Sequence, residues 1–280
     1  MLVFVDVSTI TDWLQSLKKS GKSIGFVPTM GALHSGHISL IEASRSNTDI
    51  TVCSIFVNPT QFNDPTDLAK YPRTYEADCK LLISGKCDVL FYPGIHEIYP
   101  ENKPEIKVDL NGLDSVMEGT HRPGHFKGVV QVVHRLLDIV KPDKLYMGQK
   151  DFQQFTIIEH MIKSLQLPVE LVVCPIAREP HGLAMSSRNE RLSKEGRQKA
   201  GQIFTILSKS ISLRQSQGPK QIARALLEEL NHEPFKPEYV EIVDRYSLRP
   251  IDSWQAEGTQ VICTAVWLEG VRLIDNIILN

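Results

Sequence analysis

IGFVPTMGALHSGHISLIEAS, residues 24–44, decides how the rest of the chain is read. It opens on the apolar run IGFVPT (24–29), which suits a strand buried on both faces. It continues through Met30-Gly31-Ala32-Leu33-His34-Ser35-Gly36-His37 into an amphipathic helix. His34 and His37 stand three residues apart, so at a helix start they project the same way, and Gly31 and Gly36 let backbone approach a ligand closely. A helix N-terminus offers unpaired N–H groups and the positive end of a dipole, which suits phosphate. Two imidazoles beside it can donate to a phosphate oxygen whose charge grows in a transition state. A bare H-x-x-H reads more simply as capping or packing histidines. Here the strand before it, the helix after it and the two glycines turn the reading toward a phosphate site.

Working outward, residues 50–57, 87–92, 144–147 and 170–174 repeat the buried-strand pattern. Helical periodicity fills the intervals, most clearly over 151–165, where Phe152, Phe155, Ile158, Ile162 and Leu165 follow Asp151 as N-cap. Residues 73–86 and 125–140 read as further helices. Strands alternating with helices predict an α/β fold with a doubly wound, Rossmann-like parallel sheet, whose ligands lie beyond the carboxyl ends of the strands. After residue 176 the pattern changes to helices at 193–213 and 220–231 and strands at 238–243, 260–267 and 271–278. The expected organisation is a catalytic domain over 1–176 and a smaller α+β C-terminal lid domain over 177–280.

Composition narrows the function classes. With 31 Lys+Arg against 33 Asp+Glu, the net charge of −2 lacks the basic excess of a nucleic-acid binder, so no nucleic-acid partner is expected. No apolar run approaches about 18 residues, which argues against a membrane span. MLVFVDVSTITDW at the start has no basic segment before its apolar stretch, so the expected address is cytoplasmic. Cys53, Cys79, Cys87, Cys174 and Cys263 form no C-x-x-C pair and read as reduced core thiols.

Other stretches carry chemistry in the same way. Gly148-Gln149-Lys150-Asp151 follows one strand and opens a helix, where a lysine is a point charge suited to nucleotide phosphates. Asp151-x-x-Gln154 also resembles a capping box, which would turn Gln154 back to the backbone. Asn58 and Gln61 follow another strand, where amides could hold substrate hydroxyls and carboxylate, although Asn58-Pro59 is equally a turn pair. Ser186-Ser187-Arg188 follows the last parallel strand and Gly182, so it reads as a phosphate lid. Glu118, Arg122 and His125 belong to a Gly/Pro-rich loop that either positions neighbours or merely holds its shape. Asp78 reads as a surface helix residue, and His181, outside any motif, as another surface position.

H-S-G-H is similar to the H-x-G-H signature of the nucleotidylyltransferase superfamily. PTMGALHSGH, FVNPTQF (56–62), YPRT (71–74), EGTHRPGHFKGV (118–129), GQKDFQQ (148–154), MSSRN (185–189) and LIDN (273–276), in this order, resemble the pantothenate synthetases, or pantoate–β-alanine ligases. The resemblance covers most of residues 24–191 and implies ATP-dependent condensation of (R)-pantoate with β-alanine through pantoyl adenylate, with ATP and Mg2+ required. His34, His37, Lys150, Ser186, Ser187 and Arg188 would then be catalytic. ATP contacts would come from Met30, Gly31, Ala32, Leu33, His34, Ser35, Gly36 and His37, from Gly148, Gln149, Lys150 and Asp151, and from Ala177, Met185 and Ser186–Arg188. Gln61, Gln154 and Asn58 would hold pantoate and β-alanine, Asp78 would lie near the magnesium, and the first domain would form a homodimer. A nucleotidylyltransferase that releases its adenylylated product is the alternative; an inert nucleotide sensor or a truncated tRNA synthetase fits the motifs less well.

Overall fold

The computed structural model describes residues 1–62, 65–101, 104–254 and 258–279. The chain begins with β1 (Leu2–Phe4), α1 (Val7–Lys19), β2 (Ile24–Thr29), α2 (Ser35–Asn47) and β3 (Ile50–Ile55). Next come α3 (Pro65–Lys70), α4 (Tyr75–Ser84), β4 (Val89–Phe91), α5 (Ile95–Ile98), α6 (Glu118–His121) and α7 (His125–Val140). β5 (Lys144–Gly148), α8 (Phe152–Ser164) and β6 (Glu170–Cys174) complete the first part. The second part holds α9 (Lys194–Leu213), α10 (Pro219–Leu230), β7 (Lys236–Asp244), β8 (Gln260–Leu268) and β9 (Val271–Leu279).

β1 to β6 form a parallel sheet in the order β1-β4-β3-β2-β5-β6. The chain winds from β2 outward through β3 and β4, then returns to the other side of β2 with β5 and β6. The switch point therefore lies between β2 and β5, and a crevice opens there beyond their carboxyl ends. Apolar layers cover both faces, as the unbroken apolar strands require. Val27, Leu40, Ile41, Leu82 and Leu90 pack under α2 and α4. On the other face Ile10 and Leu14 of α1 join Val129, Val133, Leu137, Phe155 and Ile158 of α7 and α8.

β7, β8 and β9 form an antiparallel sheet. Glu269 and Gly270 join β8 to β9 with positive φ at both positions, the two-residue turn that matches strand twist. One face of this sheet packs on α9 and α10 through Ile203, Leu207, Ile222, Leu226 and Ile262. Tyr239, Val243, Val261, Cys263 and Ala265 instead join the core of the first part, so the two sheets share apolar packing. Cys53, Cys87, Cys174 and Cys263 are buried free thiols, and Cys79 is partly exposed.

Most expected elements form within two residues of their expected ends. The first strand and α1 lie outside the sequence reading. β1 has three residues, and its Leu2 and Val3 are exposed at a sheet edge, so the period that marks a buried strand is absent.

Candidate active site

The β2–α2 turn builds one wall of the crevice. Gly31 lies at φ +81°, a conformation costly for a residue with a Cβ, and an added Cβ would meet Ile55 and Asp78 at 3.0 and 3.1 Å. Asp78, on α4, is 1 % exposed; its oxygens accept from the N–H groups of Ala32 (3.1 Å) and Leu33 (2.7 Å) and from the Thr74 hydroxyl (3.1 Å). Asp78 is thus neither a surface helix residue nor an acid open to a metal. It fixes the turn from beneath, and Gly31, Ala32 and Leu33 form that turn without lining the cavity.

Both histidines cap α2 and also line the cavity. Nδ1 of His34 accepts from the Gly36 N–H, and Nδ1 of His37 accepts from the His34 N–H, each at 3.2 Å. An Nδ1 that accepts leaves the proton of the neutral ring on Nε2, so each ring becomes an Nε2–H donor. Burial, reinforced by Lys150, pushes His34 down to about 4. Burial, then His34 and Lys150, pushes His37 down to about 3. The ring centroids stand 4.1 Å apart, a spacing that two imidazolium charges would resist. A side chain at Gly36 would meet the His34 ring at 3.0 Å, so glycine leaves that ring its place. Ser35 is not itself part of the cavity lining; its hydroxyl donates to the sulfur of Met185, which is, at 2.8 Å.

Across the switch point, Gly148, Lys150 and Asp151 line the same cavity, which measures about 260 Å³. Lys150 Nζ lies 3.3 Å from Asp151 Oδ1. Asp151 occupies the N-cap position of α8 as expected, but its side chain makes no capping hydrogen bond. Burial raises its pKa, but Lys150, by charge and hydrogen bond, and Arg188 hold the carboxyl below the usual range. Without a capping box, Gln154 is free to face the cavity. Gln149 turns away: its Nε2 donates to Asn276 Oδ1 at 3.0 Å, and Asn276 Nδ2 donates to the carbonyl oxygens of Gln149 and Lys150 at 3.0 Å each.

Gln61 lines the cavity from the 3-10 turn Pro59–Gln61. Asn58 is 1 % exposed and donates to Gln61 Oε1 (3.1 Å) and the Gly128 carbonyl (3.2 Å), while its Oδ1 accepts from the Tyr99 hydroxyl (2.8 Å). Asn58 also borders the cavity, and these bonds set the orientation of Gln61. His125 Nδ1 donates to the Gln61 carbonyl oxygen at 2.7 Å, and burial followed by the charge of Arg122 lowers its pKa to about 4.

Ala177 and Met185 line the cavity from the strand-like pair that follows β6, where the Met185 N–H donates to the Ala177 carbonyl at 2.9 Å. Ser186 caps the 3-10 turn Ser187–Arg191 by accepting from the Arg188 N–H at 3.3 Å. Ser187 Oγ lies 3.5 Å from the Tyr71 hydroxyl, and Arg188 is paired with Asp67 at 3.0 Å. This loop therefore reaches across the cavity mouth to α3. His181 is half-buried rather than a surface residue, with Nε2 donating to the Arg197 carbonyl at 2.7 Å.

Glu118 also reaches the cavity wall, but its carboxylate is engaged elsewhere. It accepts from both Arg272 η nitrogens and, at 2.7 Å, from the Tyr239 hydroxyl. Arg272 also pairs with Glu238 at 2.7 Å. This buried network joins α6 to β7 and β9, and residues 118 and 272 are too far apart for any local pattern to reveal it.

The family model of pantoate-beta-alanine ligase matches residues 2–278. The chain belongs to the pantoate–β-alanine ligase family. Its curated relatives include pantothenate synthetase from Porphyromonas gingivalis (strain W83), 50% identical over 279 residues and 99% of each chain. Pantothenate synthetase from Bacteroides fragilis (strain YCH46) is 46% identical over 279 residues, 99% of this chain and 98% of that one. The Thermus thermophilus pantothenate synthetase structure matches with a TM-score of 0.90 at 38% identity over 99% of both chains. The Francisella tularensis pantoate-β-alanine ligase, solved in complex with β-γ ATP and β-alanine, matches with a TM-score of 0.80 at 37% identity, covering 99% of this chain and 97% of that one. The ligase family thus accounts for the whole fold, including β7 to β9, where the sequence motifs were sparse.

Proposed function

We propose that this chain condenses (R)-pantoate with β-alanine in two half-reactions through pantoyl adenylate. The observation that carries the proposal is the facing of His34 and His37 by Lys150 across the switch point, in a cavity shared with Gln61 and Gln154. In the first half-reaction the pantoate carboxylate attacks the α-phosphorus of ATP and pyrophosphate leaves. Lys150, Ser186, Ser187 and Arg188 neutralise the triphosphate, and the two Nε2–H groups donate to α-phosphate oxygens as their charge grows. Gln61 and Gln154 orient pantoate. In the second, the neutral amine of β-alanine forms the C–N bond, AMP departs with the C–O bonding pair, and the amine proton passes to solvent. No covalent protein intermediate is required.

Among the described residues no group of three or more His, Cys, Asp or Glu side chains could hold a metal on its own. This fits a magnesium ion brought by ATP, which takes one or two carboxylates and completes its shell with phosphates and water. Asp151 is the cavity acid suited to it, in place of Asp78, whose oxygens are spent on the turn. The ion would withdraw charge from the phosphates when bound.

A homodimer formed through the first domain is part of the same proposal. It is supported by exposed Leu2, Val3, Val5, Tyr75 and Tyr92 around the β1 edge, with the two tyrosine rings 4.8 Å apart. We also propose a division near residue 176, with 177–280 as the covering unit. Its shared core with the first part favours motion of the 185–191 loop over motion of the whole unit. Among the described residues no helix is long and apolar enough to cross a membrane. A cytoplasmic address belongs to the same proposal and is supported by the five cysteines, all of them free thiols, as a reducing compartment keeps them. Release of AMP with stoichiometric amide formation from pantoate, β-alanine and ATP-Mg tests the overall reaction; ATP hydrolysis without amide would refute it.

A further inference from the structure

We infer that Arg122 is the anchor for the β-alanine carboxylate. The inference rests on the ligase reading above and adds a residue to its second half-reaction. Arg122 follows α6, lines the cavity, and is bonded into the turn that starts α7 because its carbonyl accepts from the His125 N–H at 3.1 Å. That turn is fastened to the Gln61 segment by the His125 hydrogen bond, so Arg122 belongs to the wall that carries a substrate-facing amide.

The other charged groups of the cavity have partners. Lys150 is paired with Asp151, Arg188 with Asp67, and Glu118 with Arg272. Among the described residues the Arg122 guanidinium has neither an ion pair nor a side-chain hydrogen bond, although Glu118 and Arg188 are close enough to act on it by charge. Arg272 and Tyr239 occupy the Glu118 carboxylate, so this acid acts on Arg122 by charge while already bonded to other partners. Burial lowers the Arg122 pKa to about 10, the Arg188 charge adding to the effect, and the group remains a cation at neutral pH.

The chemistry of the reaction selects the ligand. The pantoate carboxylate loses its charge when it becomes an anhydride, and the phosphates are met by Lys150, Arg188 and the α2 N-terminus. The carboxylate of β-alanine is charged before, during and after amide formation, so it needs a permanent cation outside the phosphate set. A guanidinium meets a carboxylate with two parallel hydrogen bonds, which also fixes the direction of the amine three bonds away.

The test uses full-length wild type, Arg122→Gln and Arg122→Lys with two acceptors, β-alanine and β-alaninamide, and follows amide formation beside pantoate-dependent ATP–pyrophosphate exchange. We expect Arg122→Gln to raise the KM for β-alanine by about 30- to 300-fold. It should also erase the preference for β-alanine over its amide while exchange changes far less, and Arg122→Lys should recover part of the preference. An unchanged β-alanine KM and preference would overturn the inference. So would a loss located in the ATP or pantoate KM and in exchange, which would assign Arg122 to those ligands. Failure of both variants to fold would give Arg122 a structural role and equally overturn it. Absence of exchange in the wild type would instead refute the ligase reading beneath it.

Discussion

Asn276, on the last strand, holds the backbone of Lys150 by donating to its carbonyl oxygen at 3.0 Å and to that of Gln149 at the same distance. The second sheet therefore places the lysine of the first, and this gives the LIDN motif a physical task.

Asn276→Ala removes both donors and leaves two carbonyls in the wall without these partners. We expect kcat to fall about tenfold to a hundredfold, since small misplacements of a charged group cost that much. Thermal unfolding, measured alongside, should drop by only a few degrees. Wild-type kcat would show that Lys150 is positioned without Asn276.

Acid should unfold the protein through its buried histidines. His34, His37 and His125 bind protons in the folded state only near pH 4, 3 and 4, against an ordinary 6.5. Between those values the unfolded chain carries more protons, so stability is full above about 6.5 and declines as pH falls toward 4. The combined loss should reach several kcal/mol, because each tenfold difference in proton affinity between the two states corresponds to about 1.4 kcal/mol. Chemical denaturation between pH 4 and 8 measures it, and His37→Gln should flatten part of the slope.

Asp67 pairs with Arg188, the side chain proposed to meet the triphosphate, and it also contacts Arg191 at 3.4 Å. Because partly exposed pairs contribute about 0–1 kcal/mol, Asp67→Asn should lower the KM for ATP by roughly twofold to fivefold. Arg188→Ala should act in the opposite direction and much more strongly. Steady-state kinetics with varied ATP distinguishes them.

Glu118 and Arg272 join α6 to β9 inside the protein. Arg272→Met leaves the Glu118 and Glu238 carboxylates without their cation, so stability should fall by about 3–5 kcal/mol. The double replacement Glu118→Gln with Arg272→Met should fall by less than the sum of the singles, as measured by denaturant unfolding.

What the sequence makes legible follows from how local each signal is. The strands at 24–29 and 170–174 and the helix at 125–140 are marked by composition and period, and form where expected. His34 and His37 are legible because strand, turn and helix are contiguous there. Gln153 and Gln154 are not distinguishable by any local rule. Both border the cavity, but Gln153 is buried and spends its amide on the Glu118 N–H and the Leu113 and Val116 carbonyls, whereas Gln154 is partly exposed. Asp78 reads as a surface helix residue because its partners, Ala32 and Leu33, lie some 45 residues away in the chain. Arg122 acquires its importance from ion pairs that occupy its neighbours, which only the tertiary structure reveals.

The most direct test of the two-step account is isotope exchange between pyrophosphate and ATP, measured with wild-type enzyme, magnesium and pantoate in the absence of β-alanine. The account predicts exchange that requires pantoate and falls by about 10²–10³ in His37→Ala and in Lys150→Ala. Robust amide formation with no exchange under these conditions would contradict a freely reversible adenylate step, and undiminished exchange in both variants would contradict the roles assigned to the two residues.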